Sequence, residues 1–497
     1  METTGYLKFA VGNGYYVYDT TTNALIELEE SVHRVLDDYF KYNPAQLRER
    51  YLQQMSPDDL SHAVDFLDHA VQQCGMFQPY ARRDYATVLS TDRLQALLST
   101  KLRNLLLNVT EQCNQRCAYC VYSGNHIGER THSHKHMTGD VAQKSIDYFL
   151  ARADRDNETR ILFYGGEPLL NWTLVKKCIH YIRRLSTLAK LKLYISSNIT
   201  LLSDLVVDFL IDNDIGLFVS LDGPARVHDE GRVFANGSRT HAKVVEKLEH
   251  IRKKDYTYFL SRISINCTFD YNNDILEIFR YFSSDIFAEL PVQINPIKKG
   301  ETDSTKILND CFNQHRNNMN RLVSMYLKSL QIHESFNYRL FHNIFPDVFK
   351  ILPKRNIGHL YMIESPNGVC VPGQRNLFVS ADGAYYTCEN FCYPGYEIGN
   401  CENGIDIHKV RDLLRIFVTF CMEMCESCWA NRLCSQCFIH ASHRGRISRR
   451  ARLENCRVER KRIRRALERF IYIWGKESEI ASENEFTLHS IVESKHS

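Results

Sequence analysis

Three cysteines spaced C-x3-C-x2-C, Cys113, Cys117 and Cys120, follow just past an apolar stretch at 104–109. Three thiolates can hold three irons of a [4Fe–4S] cluster and leave the fourth iron open. An open iron can bind and reduce a cofactor or substrate, so the spacing points to chemistry more than to scaffolding. It also constrains the fold. The motif closes a predicted strand, so the architecture must present that strand's C-terminal end to the cluster.

The remaining cysteines strengthen this reading. Of 17 in the chain, ten fall between Cys370 and Cys456, a crowding that suits ligands better than scattered core thiols. No secretory segment or membrane-length apolar run is evident, so a cytoplasmic, reducing location is expected and disulfides are not. Membrane association is not expected. A net charge of +3 is too small to argue for a nucleic-acid partner. At 497 residues the chain exceeds one ordinary core, so about three domains are expected.

Residues 1–90 read as one unit. Tyr6–Ala10 and Tyr15–Tyr18 flank a Gly12-Asn13-Gly14 turn, and Ala24–Leu28 adds a third strand. Helical patterns follow at Glu30–Tyr39, Pro44–Gln54 and Pro57–Cys74. From about 100 to 300, six predicted strands alternate with helices: Asn104–Val109, Arg160–Tyr164, Leu191–Ser196, Leu217–Leu221, Arg262–Thr268 and Val292–Pro296. Repeated β/α units argue for a parallel sheet. Residues 301–360 read as a helical bridge, 365–470 as a cysteine-rich domain, and 475–497 as a polar tail that frays.

The motif Cys113-Asn114-Gln115-Arg116-Cys117-Ala118-Tyr119-Cys120, with an aromatic residue before its last cysteine, resembles that of the radical S-adenosylmethionine (SAM) enzymes. Further segments extend the resemblance. Gly165-Gly166-Glu167-Pro168 is similar to the family's GGEP element, which implies that backbone approaches the methionyl group and that Glu167 accepts from its amino group. Ser197-Asn198 falls where a ribose contact is implied, with Ile199 in place of the family's glycine. Ser220-Leu221-Asp222-Gly223-Pro224 with His228-Asp229-x-x-Arg232 resembles the sulfatase maturases, and implies that Ser220 and Arg232 contact the SAM carboxylate. Tyr119, within the cysteine motif, joins this cofactor-binding set. The fold implied is α/β, a partial (β/α)6 TIM barrel whose active site lies at the C-terminal ends of the strands.

The C-terminal cysteines resemble a SPASM domain, which carries two auxiliary [4Fe–4S] clusters. By analogy Cys425, Cys428, Cys434 and Cys456 hold one cluster. Cys370, Cys388 and Cys437 hold the other, with a fourth ligand open between Cys392, Cys401 and a substrate thiolate. Structural zinc is the alternative for the tight C-x2-C pairs. Cys421 is unassigned. Cys74, Cys178, Cys267 and Cys311 are expected to be buried apolar thiols. The basic run from Arg444 to Arg465 is expected to be a solvated helix face.

The N-terminal unit resembles the winged-helix-like module, similar to the pyrroloquinoline quinone chaperone, that binds leader peptides by strand addition in peptide maturases. The whole then resembles a radical SAM/SPASM maturase of cysteine-rich ribosomal peptides of the sactipeptide and ranthipeptide kind. That resemblance implies SAM, three [4Fe–4S] clusters, a precursor peptide with a leader, and an electron donor such as flavodoxin or ferredoxin. The reaction implied is thioether formation, in which a deoxyadenosyl radical takes a hydrogen atom and a cysteine thiolate bonds to the resulting carbon centre. Glu389 and Asp222 are candidate bases by position. Rival outcomes are a carbon–carbon crosslink, epimerisation, or formylglycine formation by a sulfatase maturase. In that last family, Asp stands where this chain has Glu389.

Overall fold

The computed structural model describes residues 5–78, 82–83, 85–124, 130–297, 305–358, 362–363, 368–425 and 427–483. Six strands run in chain order as neighbours in one parallel set: Asn104–Thr110, Thr159–Gly165, Leu191–Ser197, Gly216–Ser220, Ile263–Phe269 and Val292–Pro296. Helices intervene, among them Gly139–Arg152, Trp172–Leu185, Asp204–Asp212, His241–Lys254 and Ile275–Phe282. A parallel pair needs such a crossover because no tight turn can join strands that run the same way.

The two faces of this sheet differ. Leu105, Leu107, Ile161, Phe163, Leu193, Ile195, Leu217, Val219, Ile263 and Ile265 are buried beneath the helices. Each such side chain contributes roughly 1.5–3 kcal/mol by leaving water. The alternate positions Leu106, Tyr164, Tyr194, Phe218, Ser220, Asn266 and Thr268 are only half-buried. A parallel sheet is ordinarily covered on both faces. Here one face stays open, and the cysteine loop closes one of its ends.

The sheet does not stop at its first strand. Asn376–Val379 of the cysteine-rich region pairs in parallel with Asn104–Thr110, with Asn376 opposite Asn104 and Phe378 opposite Leu106. Ala384–Tyr386, Gly399–Asn400 and Gly404–Ile405 then continue it antiparallel. The C-terminal region is therefore an extension of the central sheet, welded to it by main-chain hydrogen bonds.

In the N-terminal unit, Tyr6–Val11, Gly14–Asp19 and Ala24–Leu28 form an antiparallel sheet. Helices Glu30–Tyr39, Pro44–Tyr51 and Pro57–Gln72 pack against it. Asn43 and Ser56 cap the second and third helices, each just before a proline in the first turn. The sheet's other side, Phe9 and Tyr18, packs on Leu352, Ala430, Ile463 and Leu467. Thr20 donates to the Trp429 carbonyl at 2.6 Å, and Arg432 donates to the Thr21 carbonyl at 3.0 Å. This unit therefore sits directly on the Cys428–Cys434 segment.

Several expectations need correction. The final helix, Arg449–Glu483, runs through Gly475, and Ile480 is buried, so residues 475–483 are not a tail. Residues 484–497 of the expected tail lie outside the described residues. Residues 305–332 of the bridge form a single long helix. Cys178 and Cys267 are buried as expected, but Cys74 is exposed. The side chain of Cys311 lies outside the described residues. No described helix is long and apolar enough to cross a membrane.

Candidate functional site

Gly165 and Gly166 end the second parallel strand. A Cβ at Gly165 would sit 2.2 Å from the Thr110 carbonyl oxygen, and one at Gly166 would sit 2.2 Å from that of Gln112. No side chain fits either place. These glycines therefore admit the backbone that leads into Cys113. The Gly166 and Glu167 amides donate to the Thr110 and Gln112 carbonyls, each at 2.8 Å. The two motifs thus form one packed unit.

Glu167 is fully buried. Its carboxylate accepts from the Leu169 amide (3.1 Å), the Ser197 hydroxyl (2.8 Å) and the Asn198 amide (2.8 Å). Burial pushes its pKa up to about 7 against those three bonds. Ser197 and Asn198 therefore hold Glu167, and the Asn198 side chain also donates to Asn114 at 2.9 Å. Ile199 follows with φ +54°, the left-handed conformation that its family's glycine would adopt freely. The backbone is kept, at a cost of roughly 1–2 kcal/mol for the β-branched residue.

Asp222 follows the strand ending at Ser220, which is half-buried at the same end of the sheet. The Asp222 carboxylate accepts from Arg232 Nε (2.8 Å), the Thr268 amide (2.8 Å) and the Tyr119 hydroxyl. With all these donors engaged, Asp222 is an anchor. Arg232 is nearly buried, and its Nη1 lies 3.7 Å from Cys117 Sγ. Its guanidinium also lies 5.3 Å from the centre of the Tyr119 ring. The sequence pair Asp222 and Arg232 thus ties the fourth strand to the cysteine loop. His228 accepts from the Asp222 amide at 3.2 Å, and burial lowers its pKa to about 3, so it is neutral.

Cys113, Cys117 and Cys120 gather at this end of the sheet. Burial pushes the Cys113 thiol up to about 12 and raises the other two, so iron would displace protons there. Beside them Asn108 and Gln115 are buried, and Asn108 Oδ1 and Nδ2 and Gln115 Nε2 have no hydrogen-bond partner. Unpaired amides are costly unless a ligand satisfies them. Three thiols and these amides next to an open face fit a cluster with a polar cofactor on it.

The C-terminal cysteines divide in two. Cys425, Cys428, Cys434 and Cys456 line one cavity, together with Cys421, Arg452 and Glu459. Cys370, Cys388 and Cys437 form a second group, in which Cys370 lies within electrostatic reach of both others. Among the described residues, no three Cys, His, Asp or Glu groups converge as around a single ion.

Cys392 and Cys401 separate. Cys392 Sγ lies 3.2 Å from the Glu389 carbonyl, within electrostatic reach of Tyr122, Arg130, Tyr164 and Tyr386. Cys401 faces Gly383, Lys144 and Glu402. Sequence pattern alone did not point to Arg130, a lone cation ten residues beyond Cys120. It donates to the Tyr122 hydroxyl (2.8 Å) and the Glu389 carbonyl (2.9 Å), joining the first cysteine loop to the residue after Cys388. Glu389 is half-buried; its carboxylate accepts from Asn390 at 2.9 Å.

Residues 107–281 match the family model of the Radical SAM superfamily. The chain thus carries a radical SAM domain. A radical SAM cyclopropyl synthase, TigE of Paramaledivibacter caminithermalis, is 26% identical over 205 residues, 39% of this chain and 42% of that one. A cysteine-type anaerobic sulfatase-maturating enzyme of Clostridium perfringens is 23% identical over 312 residues, 60% of this chain and 77% of that one. Native anSMEcpe with bound AdoMet and Cp18Cys peptide shares the fold, with a TM-score of 0.55 and 18% identity over 77% of this chain and 99% of that one.

Proposed function

We propose that this chain is a radical SAM peptide maturase that joins cysteine sulfur to carbon in a ribosomally made precursor peptide. The observation that carries the reading is the pairing of a three-thiol site beside an open sheet face with a separate four-thiol cavity. The open parallel sheet is then a partial (β/α)6 barrel, and the cysteine-rich region a SPASM domain holding two auxiliary clusters. When bound, SAM and the reduced cluster on Cys113, Cys117 and Cys120 supply hydrogen-atom abstraction from the peptide.

The chain's own residues do the rest. Asn108 and Gln115 offer free amides to SAM, and Ser220 and Arg232 flank its carboxylate. Asp222 holds Arg232 and Tyr119 in place. Half-buried Tyr164, Tyr194 and Phe218 line the face along which the peptide runs. Their bulk excludes water from the reacting carbon. Glu389, near Tyr164, is positioned to take the cysteine proton. The N-terminal module is a leader-peptide clamp, and raises the core peptide's effective concentration. Flavodoxin or ferredoxin would supply electrons.

A second reading is favoured by the similarity to sulfatase maturases, which extends over 77% of one such enzyme. In that case a cysteine of a target protein is oxidised instead. The test is a mass spectrum of a cysteine-rich peptide encoded beside the gene, after anaerobic incubation with SAM and a reductant. Loss of two hydrogens per modified cysteine, each then resistant to alkylation, supports the thioether. Deoxyadenosine formation with free peptide thiols would sink it in favour of the other outcomes.

A further inference from the structure

Arg452 is 1% exposed, the largest fully buried side chain among the described residues. It belongs to the basic run expected to be a solvated helix face, so its burial is itself a correction. Its Nη1 donates to Gln436 Oε1 at 2.8 Å, and its guanidinium lies 4.6 Å from the centre of the Phe417 ring. Its Nε–H has no partner. Among the described residues no carboxylate pairs with it. Glu459, on the same cavity wall, accepts instead from Ser435 and from Arg462.

A buried guanidinium without a counter-charge is strongly unfavourable. The group facing it across the cavity is the set Cys425, Cys428, Cys434 and Cys456. Four thiolates around a cubane carry net negative charge, which answers both the missing counter-ion and the idle N–H. We propose that Arg452 is the counter-charge and hydrogen-bond donor of an iron–sulfur cluster held by those four cysteines, and that it raises that cluster's reduction potential. The reduced cluster carries one more negative charge than the oxidised one, so a fixed cation stabilises it more. Arg452 is a positioning residue for electron flow. The inference rests on the proposed cluster assignment.

The test uses full-length reconstituted protein in which Cys113, Cys117 and Cys120 are alanine, leaving only the auxiliary sites. Adding Cys428→Ser identifies the signal of this site. Redox titration followed by electron paramagnetic resonance should give a lower midpoint for Arg452→Gln than for the native residue. Arg452→Lys, which keeps the charge, should recover most of the difference. Independently of any arginine variant, ¹⁵N-arginine labelling should reveal a nitrogen coupling to the reduced cluster. An iron-loaded site without that coupling overturns the proposal, as does an unchanged midpoint in Arg452→Gln. Absence of iron from the site overturns the cluster assignment instead.

Discussion

The two cysteine sites solve opposite problems. Cys113, Cys117 and Cys120 sit on a loop at the mouth of an open sheet face, and unpaired amides wait beside them. Cys425, Cys428, Cys434 and Cys456 close around a cavity whose wall includes a wholly buried cation. Three ligands and an open face suit a site that must admit a cofactor and a substrate. Four ligands and a closed wall suit a site that only stores or passes an electron. The scaffolding follows the same division. The first site is held by side chains from four different strand ends, Thr110, Glu167, Asn198 and Asp222, whereas the second is held by consecutive turns and one long helix.

The largest effect expected is at the first site. Replacing any of Cys113, Cys117 or Cys120 with alanine should abolish deoxyadenosine formation, assayed chromatographically with SAM and reductant. Cys428→Ser should instead leave deoxyadenosine formation measurable and abolish modified peptide in the mass spectrum. Equal losses in both would erase the division between the sites.

Next comes the Asp222–Arg232 pair, buried at 4% and 10% side-chain exposure. Arg232→Met strands the carboxylate, and should cost roughly 3–5 kcal/mol of stability in denaturant titration. A shift below about 1 kcal/mol would mean that the pair is merely local. His228 gives an effect that is absent at neutral pH and grows only in acid. Its folded pKa of about 3 lies below the ordinary 6.5, so below pH 6.5 the unfolded chain binds a proton that the folded one refuses. Its contribution should be intact above pH 6.5 and fall by about 1.4 kcal/mol per unit as pH drops toward 3. Denaturant midpoints of wild type and His228→Gln across that window check it; the variant should lose the slope. The smallest effect is a cap away from both sites. Thr138 accepts from the Val141 amide at 3.3 Å, and Thr138→Ala should cost about 1 kcal/mol without altering iron content.

Much of the fold was legible because its signals are local. Val292–Pro296, Ala24–Leu28 and Glu30–Tyr39 fall where alternation and periodicity predict. The division of cysteines into 425/428/434/456 and 370/388/437 came from the resemblance to SPASM domains, and the first four do line one cavity. What escaped depends on contacts distant in sequence. Nothing local reveals that Asn376–Val379 adds to the strand at Asn104–Thr110. Arg130 and Arg452 look like ordinary surface cations until tertiary packing half-buries the first and buries the second. The glycines of the GGEP element were read as making room for a ligand, whereas they make room for the chain's own Thr110 and Gln112. Residues 475–497 read as a polar tail, but packing of Ile480 and the Tyr326–Glu477 hydrogen bond carry the last helix on to Glu483.

The most direct measurement is iron counting with resonance spectroscopy on anaerobically reconstituted wild-type protein, before and after SAM is added. The expected result is about twelve irons per chain in three cubanes. SAM should change the spectrum of one cubane alone, the one lost in Cys113→Ala. A colourless, zinc-loaded protein, or iron whose spectrum ignores SAM, would contradict the division between a reactive site and an electron-storing one.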